Sequence, residues 1–147
     1  MLALAPIFED LINDIVDKNH VTDSTLASLQ SLFGTTLLSA LELVDNDAVY
    51  RLNSTPPSRH AHMAYDFHDD RHFVVLRSFC TCPTFSADVI EKRQQISCKH
   101  ELAVKISDAL GKTKAILVSE DTLAQIFAND GCYSKESLPF ELQGKVL

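Results

Sequence analysis

From residue 7 to residue 18 the apolar residues fall in doubled pairs four apart. Ile7, Phe8, Leu11, Ile12, Ile15 and Val16 make one stripe, with Asp10, Asp14 and Asp17 elsewhere around the wheel. That period predicts an amphipathic helix. Thr22, Asp23 and Ser24 then offer capping oxygens to a second helix carrying Leu26, Leu29, Leu32 and Phe33, and Gly34 suits its end. A third helix, from about Thr36 to Val44, sets Leu37, Leu41 and Val44 on one face. From Ala48 the period shortens. Val49, Tyr50 and Leu52 predict a first strand, TPPS at 55–58 interrupts it, and 61–67 and 72–79 resume around the turn-like HDDR. The expectation is about three short antiparallel strands, the last running into Cys80.

After Pro83 the stretch to Gln94 reads as a short helix or an ordered loop. From about Cys98 to Leu110, Leu102, Ala103, Ile106, Ala109 and Leu110 form an apolar helical face that Gly111 can terminate. A last helix is expected from Ser119, with Leu123, Ile126 and Phe127 inward, ending by Gly131. The closing GCYSKESLPFELQGKVL has no clean period; it is a mobile tail or a docking segment, and the tail is the favoured reading. The pattern predicts an α+β fold: N-terminal helices, a small antiparallel sheet of about three strands, a pinned turn and C-terminal helices. One domain is expected over 1–131, with a helical part at 7–45, a central part at about 48–111 and a C-terminal helix at about 119–130, followed by a tail at 132–147.

The composition changes little in that picture. With 147 residues, 46% hydrophobic and 22% charged, the chain sits among globular sequences and is long enough to bury a sizeable core. MLALAPIF lacks a basic leader and runs straight into Glu9 and Asp10, and no stretch nears the roughly 20 apolar residues of a membrane span. A soluble, intracellular protein is expected, where paired cysteines hold metal more often than disulfides. The net charge of −7 argues against indiscriminate nucleic-acid coating. Between Arg71 and Lys114, however, basic residues outnumber acidic ones. Either the split is an accident of a solvated surface, or an anionic partner faces that segment.

The chemistry concentrates in CTCPTFSADVIEKRQQISCKH, residues 80–100. Zinc without redox duty takes four tetrahedral ligands, and Cys3His is one of its closed structural sets. Cys80 and Cys82 end a predicted strand, where alternate side chains share a face, and Pro83 turns the chain away. Cys98 and His100 open a predicted helix, whose free N–H groups soften thiolate charge. One structural zinc per chain is therefore expected on Cys80, Cys82, Cys98 and His100. The one-residue gap in each couple departs from the commoner C-x2-4-C spacing. Against zinc stand a set of small buried cysteines beside an ordinary histidine, and a Cys98/His100 nucleophile and base, which residues two apart on a helix cannot form. Four protein ligands would deny a hydrolytic zinc its open position, so no enzyme is expected. His60 and His62, with His68 and His72 beside Asp69 and Asp70, are a conceivable second metal set, more simply read as surface histidines. Cys132 reads as a free or half-buried thiol.

C-x-C followed after a gap by C-x-H is the signature of the SWIM zinc finger, and CTCPTF with SCKHELAVKIS resembles that module closely. SLFGTTLLSALELVD at 31–45 resembles the segment preceding the finger in a small family, the SWIM-domain subunits of the Shu complex. The resemblance spans roughly residues 7–130. It implies a nuclear, non-enzymatic protein in an obligate pair with a recombinase-paralogue-like partner, which binds DNA and promotes recombinase filaments in homologous recombination. Cys80, Cys82, Cys98 and His100 would then be the ligands that hold the partner-binding fold. Within that reading Lys92, Arg93 and Lys99 are the candidate phosphate contacts, because flexible basic side chains bind backbone without reading sequence. Leu32 and Phe33 are the candidate partner contacts. Other SWIM proteins resemble substrate adaptors of ubiquitin ligases, which leaves an interaction adaptor as the alternative.

Overall fold

The computed structural model describes residues 4–55, 59–128 and 131–147, so the Pro-Pro-Ser interruption after Thr55 lies outside the described residues. Helix α1 (Ala5–Lys18) carries Pro6 in its first turn, where a missing N–H costs nothing. Its buried stripe is narrower than the sequence pattern: Phe8 and Ile15 face inward, while Ile7 and Val16 are about half exposed. In α2 (Asp23–Phe33) the backbone N–H of Thr25 donates to the Thr22 hydroxyl, the capping bond expected at that position. Gly34, with φ +57°, ends α2 and opens α3 (Thr35–Asp45) in one residue.

The sheet is larger than the sequence suggests. To β1 (Val49–Thr55), β2 (His60–Asp66) and β3 (Arg71–Leu76) the fold adds β4 (Phe79–Cys80), β5 (Lys114–Ser119) and β6 (Cys132–Tyr133). Their order is β4-β3-β2-β1-β5, and β6 shares the outer edge of β3 with β4. The expected antiparallel meander is present, with Arg51 opposite His62 and His62 opposite Val75. Strand β5 corrects that all-antiparallel expectation, because it runs parallel to β1, with Leu52 opposite Ile116. Its residues gave no strand signal because only Val118 is buried, so no alternation marks the strand. Between them come a seven-residue π-helical turn (Phe85–Glu91), α4 (Lys99–Leu110) and, after β5, α5 (Glu120–Ala128). The turn resolves the choice left open for 83–94.

Alternation along the central strands builds two cores. Val49, Phe73 and Val75 face α1–α4, joined by Leu29, Leu37, Leu102 and Ile106. Tyr50, Leu52, Met63 and Val74 face α5 and the end of the chain, with Leu123, Ile126, Leu138 and Leu142. Residues 132–147, read from the sequence as a tail, are thus part of the second layer. The backbone N–H of Leu147 donates to the Tyr50 hydroxyl at 2.9 Å. Both carboxylate oxygens of Glu141 accept from the N–H of Ser119, at 3.0 and 3.2 Å, and Thr122 donates its hydroxyl to the same carboxylate. The segment looked unstructured because it is anchored by single residues at irregular intervals, a pattern without a period.

Candidate metal centre

Strand β4 and the start of α4 meet over the end of β2. The register of β4 on β3 puts Cys80 opposite Val75, and Cys82 follows two residues on, aimed the same way. Cys98 occupies the N-cap of α4, where its sulfur accepts the backbone N–H of Glu101 at 3.4 Å. Cys82 accepts the N–H of Phe85 at 3.3 Å, and the Cys80 sulfur lies 3.8 Å from Nδ1 of His100. The ligand atoms of Cys80, Cys82, Cys98 and His100 all lie within 4.8 Å of one another, and all four residues are buried. Sequence spacing made two couples; the fold makes them one group that can hold one metal ion.

The electrostatics of the group call for a cation. Three sulfurs packed this closely cannot all ionise by themselves: hydrogen bonds with Cys82 and Cys98 push the Cys80 thiol far up, while Cys80 and Cys98 hold Cys82 far down. Burial opposes an imidazolium at His100, yet Asp66 and the sulfurs of Cys82 and Cys98 outweigh it and push its pKa up to about 11. A divalent ion satisfies all of these demands together. Zinc, which takes Cys and His ligands in tetrahedral sites, fits the donor set, and it would act as a cross-link between β4 and α4.

One residue that sequence reading did not single out holds the site in place. Asp66, at the end of β2, is 1% exposed, and its Oδ2 accepts the Nε2 proton of His100 at 2.7 Å. The Lys99 ammonium lies 3.0 Å from the same oxygen. Its Oδ1 accepts the backbone N–H groups of His68 at 2.9 Å and Asp69 at 3.3 Å, which closes the β2–β3 turn. Burial raises the Asp66 carboxyl, but the hydrogen bonds from His100 and Lys99 win, and it stays far below the usual carboxylate range. With Nε2 committed to Asp66, Nδ1 is the nitrogen free to face the sulfurs, the carboxylate–histidine arrangement common behind zinc. No sequence signal could have found it, since Asp66 lies 34 residues from His100.

The CTC motif is also tied to the end of the chain. Thr81, between the two cysteines, donates its hydroxyl to the carbonyl of Gly131 at 2.6 Å, and that carbonyl also accepts the N–H of Val74 at 3.2 Å. Gly131 has φ +75°, and a Cβ there would stand 2.3 Å from the Thr81 methyl. Gly131→Ala is therefore expected to cost about 2–4 kcal/mol, from the left-handed backbone and the collision together. Thermal denaturation checks this. A melting temperature equal to that of the unaltered chain would mean that Gly131 is not clamped against the motif.

The other candidates fall differently. Lys99 is committed to Asp66, Lys92 is exposed with Asp88 at 3.7 Å, and Arg93 is exposed with a left-handed φ of +54°. Phe33 is buried, packed edge-on against Phe8 at 5.1 Å, and Leu32 is half-buried against the same core. The interior claims both because the LFG turn faces α1. His72 is fully buried in the sheet rather than on a surface, and no second group of three metal-ligating side chains gathers among the described residues. Cys132 is an exposed free thiol on β6.

Comparison with known proteins agrees with this geometry. The chain is 30% identical over 135 residues to the mouse protein named zinc finger SWIM domain-containing protein 7, an alignment covering 88% of each chain. The chain belongs to that family. The human protein of the same name is 30% identical over 131 residues, covering 85% of this chain and 92% of the human one. A Dictyostelium discoideum homologue is 24% identical over 111 residues, or 73% and 71%. No family model matches the chain, and no solved structure does. The aligned length means that this SWIM-type zinc finger protein shares with its relatives most of the chain around the finger, not the finger alone. Among the described residues no helix is long and apolar enough to cross a membrane.

Proposed function

We propose that this chain is the non-enzymatic zinc-binding subunit of a Shu-type complex. In that role it pairs with a recombinase-paralogue-like partner in the nucleus and promotes recombinase filaments during homologous recombination. The observation that carries the reading is the closed, buried set of Cys80, Cys82, Cys98 and His100. Four protein ligands leave zinc no open position for substrate, so the ion pins β4 and α4 and the surface built on them. The kinship with the SWIM domain-containing protein 7 family supports the same reading. DNA contact belongs to the complex. The isolated chain has Lys92 and Arg93 exposed near the centre, and few exposed aromatic rings on which bases could stack.

Native mass spectrometry of the protein purified from its own cells tests this. The expected species carries one zinc and one copy of a partner with an ATPase-type core. Recovery with a cullin-type scaffold would overturn the recombination role in favour of an adaptor. Turnover of a substrate that disappears with chelator would overturn the non-enzymatic one.

A further inference from the structure

Between α1, the π-helical turn and α4 lies an open groove of about 530 Å³. Its walls are largely apolar: Phe8 from α1, Phe85 and Val89 from the turn, and Ile96 from the irregular stretch leading to Cys98. Two groups in it have polar atoms that the fold leaves unfilled: one oxygen of Glu101, whose carboxyl also bonds Ser97, and the guanidinium of Arg93. Glu101 on α4 is 5% exposed and lines the groove, and its buried Oε2 has no hydrogen-bond partner. A buried acceptor without a donor costs about 1–3 kcal/mol, a cost that a bound donor removes. Arg93, at the rim, is exposed, makes no ion pair among the described residues and has a left-handed backbone, φ +54°, that a non-glycine residue rarely adopts. The remaining cation, Lys105, is already engaged, 3.7 Å from Glu9 and over the ring of Phe8.

We infer that this groove is the seat of a segment of the protein partner, which inserts an aliphatic or aromatic side chain between Phe85, Val89 and Ile96. The inference rests on the partner-binding reading above. The same segment gives Glu101 a hydroxyl, amide or backbone N–H, and it places a carboxylate against Arg93. The groove's charges select that occupant. A nucleic-acid backbone brings only acceptors at its phosphates, which cannot donate to the Glu101 oxygen and which Glu9 repels, and it has nothing to fill apolar walls. Apolar contact at the centre with a charged pair at the rim is the usual anatomy of a protein interface. Val89 lies in the π-helical turn and Arg93 two residues past its end, both lining the groove, and such turns occur often at functional sites.

The test is the affinity of the purified zinc-loaded chain for the ATPase-core partner expected to be recovered with it in native mass spectrometry, with Val89→Glu, Arg93→Glu and Lys92→Glu compared with the unaltered protein. Lys92 takes the same charge change one residue outside the groove. Both groove variants are expected to weaken the pair about ten-fold or more, the scale of an interface hot spot, while keeping one zinc. Lys92→Glu should stay within about three-fold, because Lys92 is exposed, does not line the groove and already lies 3.7 Å from Asp88. In hydrogen exchange, the partner should protect residues 85–96. Equal weakening by Lys92→Glu and Arg93→Glu would reduce the effect to general charge and overturn the groove. An undiminished pair in every variant, or protection by the partner elsewhere, overturns the groove and leaves the partnership standing. No complex with the unaltered chain would end both. A groove filled by a second copy of this chain would appear as a homodimer in native mass spectrometry, and it too overturns the inference.

Discussion

Cys82→Ser and His100→Ala chains are expected to be recovered without bound zinc and mostly insoluble. Between Pro83 and Ser97 only Phe85 and Ser97 are buried, so hydrophobic packing does little to hold this stretch. Its ends are fixed instead by the two ligand couples. Structural zinc contributes about 10–16 kcal/mol in small zinc peptides, against about 5–15 kcal/mol for the stability of a whole domain. Removing one ligand forfeits a large part of that and leaves the other three buried groups to repel or to titrate. The damage should spread, because Cys80, Cys82, Cys98 and the neighbouring Leu102 and Phe73 belong to the larger core. Elemental analysis of the soluble fraction is the measurement. A soluble His100→Ala protein with one equivalent of zinc would contradict the ligand set.

The second large effect is expected at a residue that would touch no metal. Asp66→Asn should lower zinc affinity about 10–100-fold, the usual cost of losing the group behind a ligating histidine, or roughly 1.4–2.7 kcal/mol. Asparagine can keep the Oδ1 bonds from the backbone of His68 and Asp69, so the β2–β3 turn survives. Its amide nitrogen then replaces the oxygen that accepts from His100 and Lys99, and donors face donors. Asp66→Ala loses the turn as well and should unfold more readily. Competition with a coloured chelator reads the affinity, and circular dichroism reads the fold. An Asp66→Asn chain that folds and holds zinc as tightly as the unaltered one would deny Asp66 its orienting role.

Much of the fold was legible along the chain where periods were local. The stripe from Phe8 to Ile15 and the Thr22 cap mark helices because they repeat within one turn or two of chain. The strands β1 to β3 were legible because consecutive hairpin strands alternate in register. Strand β5 was not, since it pairs in parallel with a strand some sixty residues earlier and buries little but Val118. Residues 132–147 were misjudged for a related reason. Leu138 and Leu142 are buried and Tyr133 pairs with His72, yet none of these contacts repeats along the segment.

The sequence by itself determined the chemistry of the site. Two couples of cysteine and histidine, one ending a strand and one opening a helix, allow few uses but a closed zinc set, because ligand type and short spacing are covalent properties of the chain. Only the tertiary structure decided what surrounds that set. Asp66 behind His100, Gly131 against Thr81, and the unpartnered Oε2 of Glu101 in the groove that Arg93 also lines come from residues that are distant in sequence or silent in pattern. Their roles follow from burial and from the directions of their polar atoms, which are fixed only once the helices and the sheet have packed.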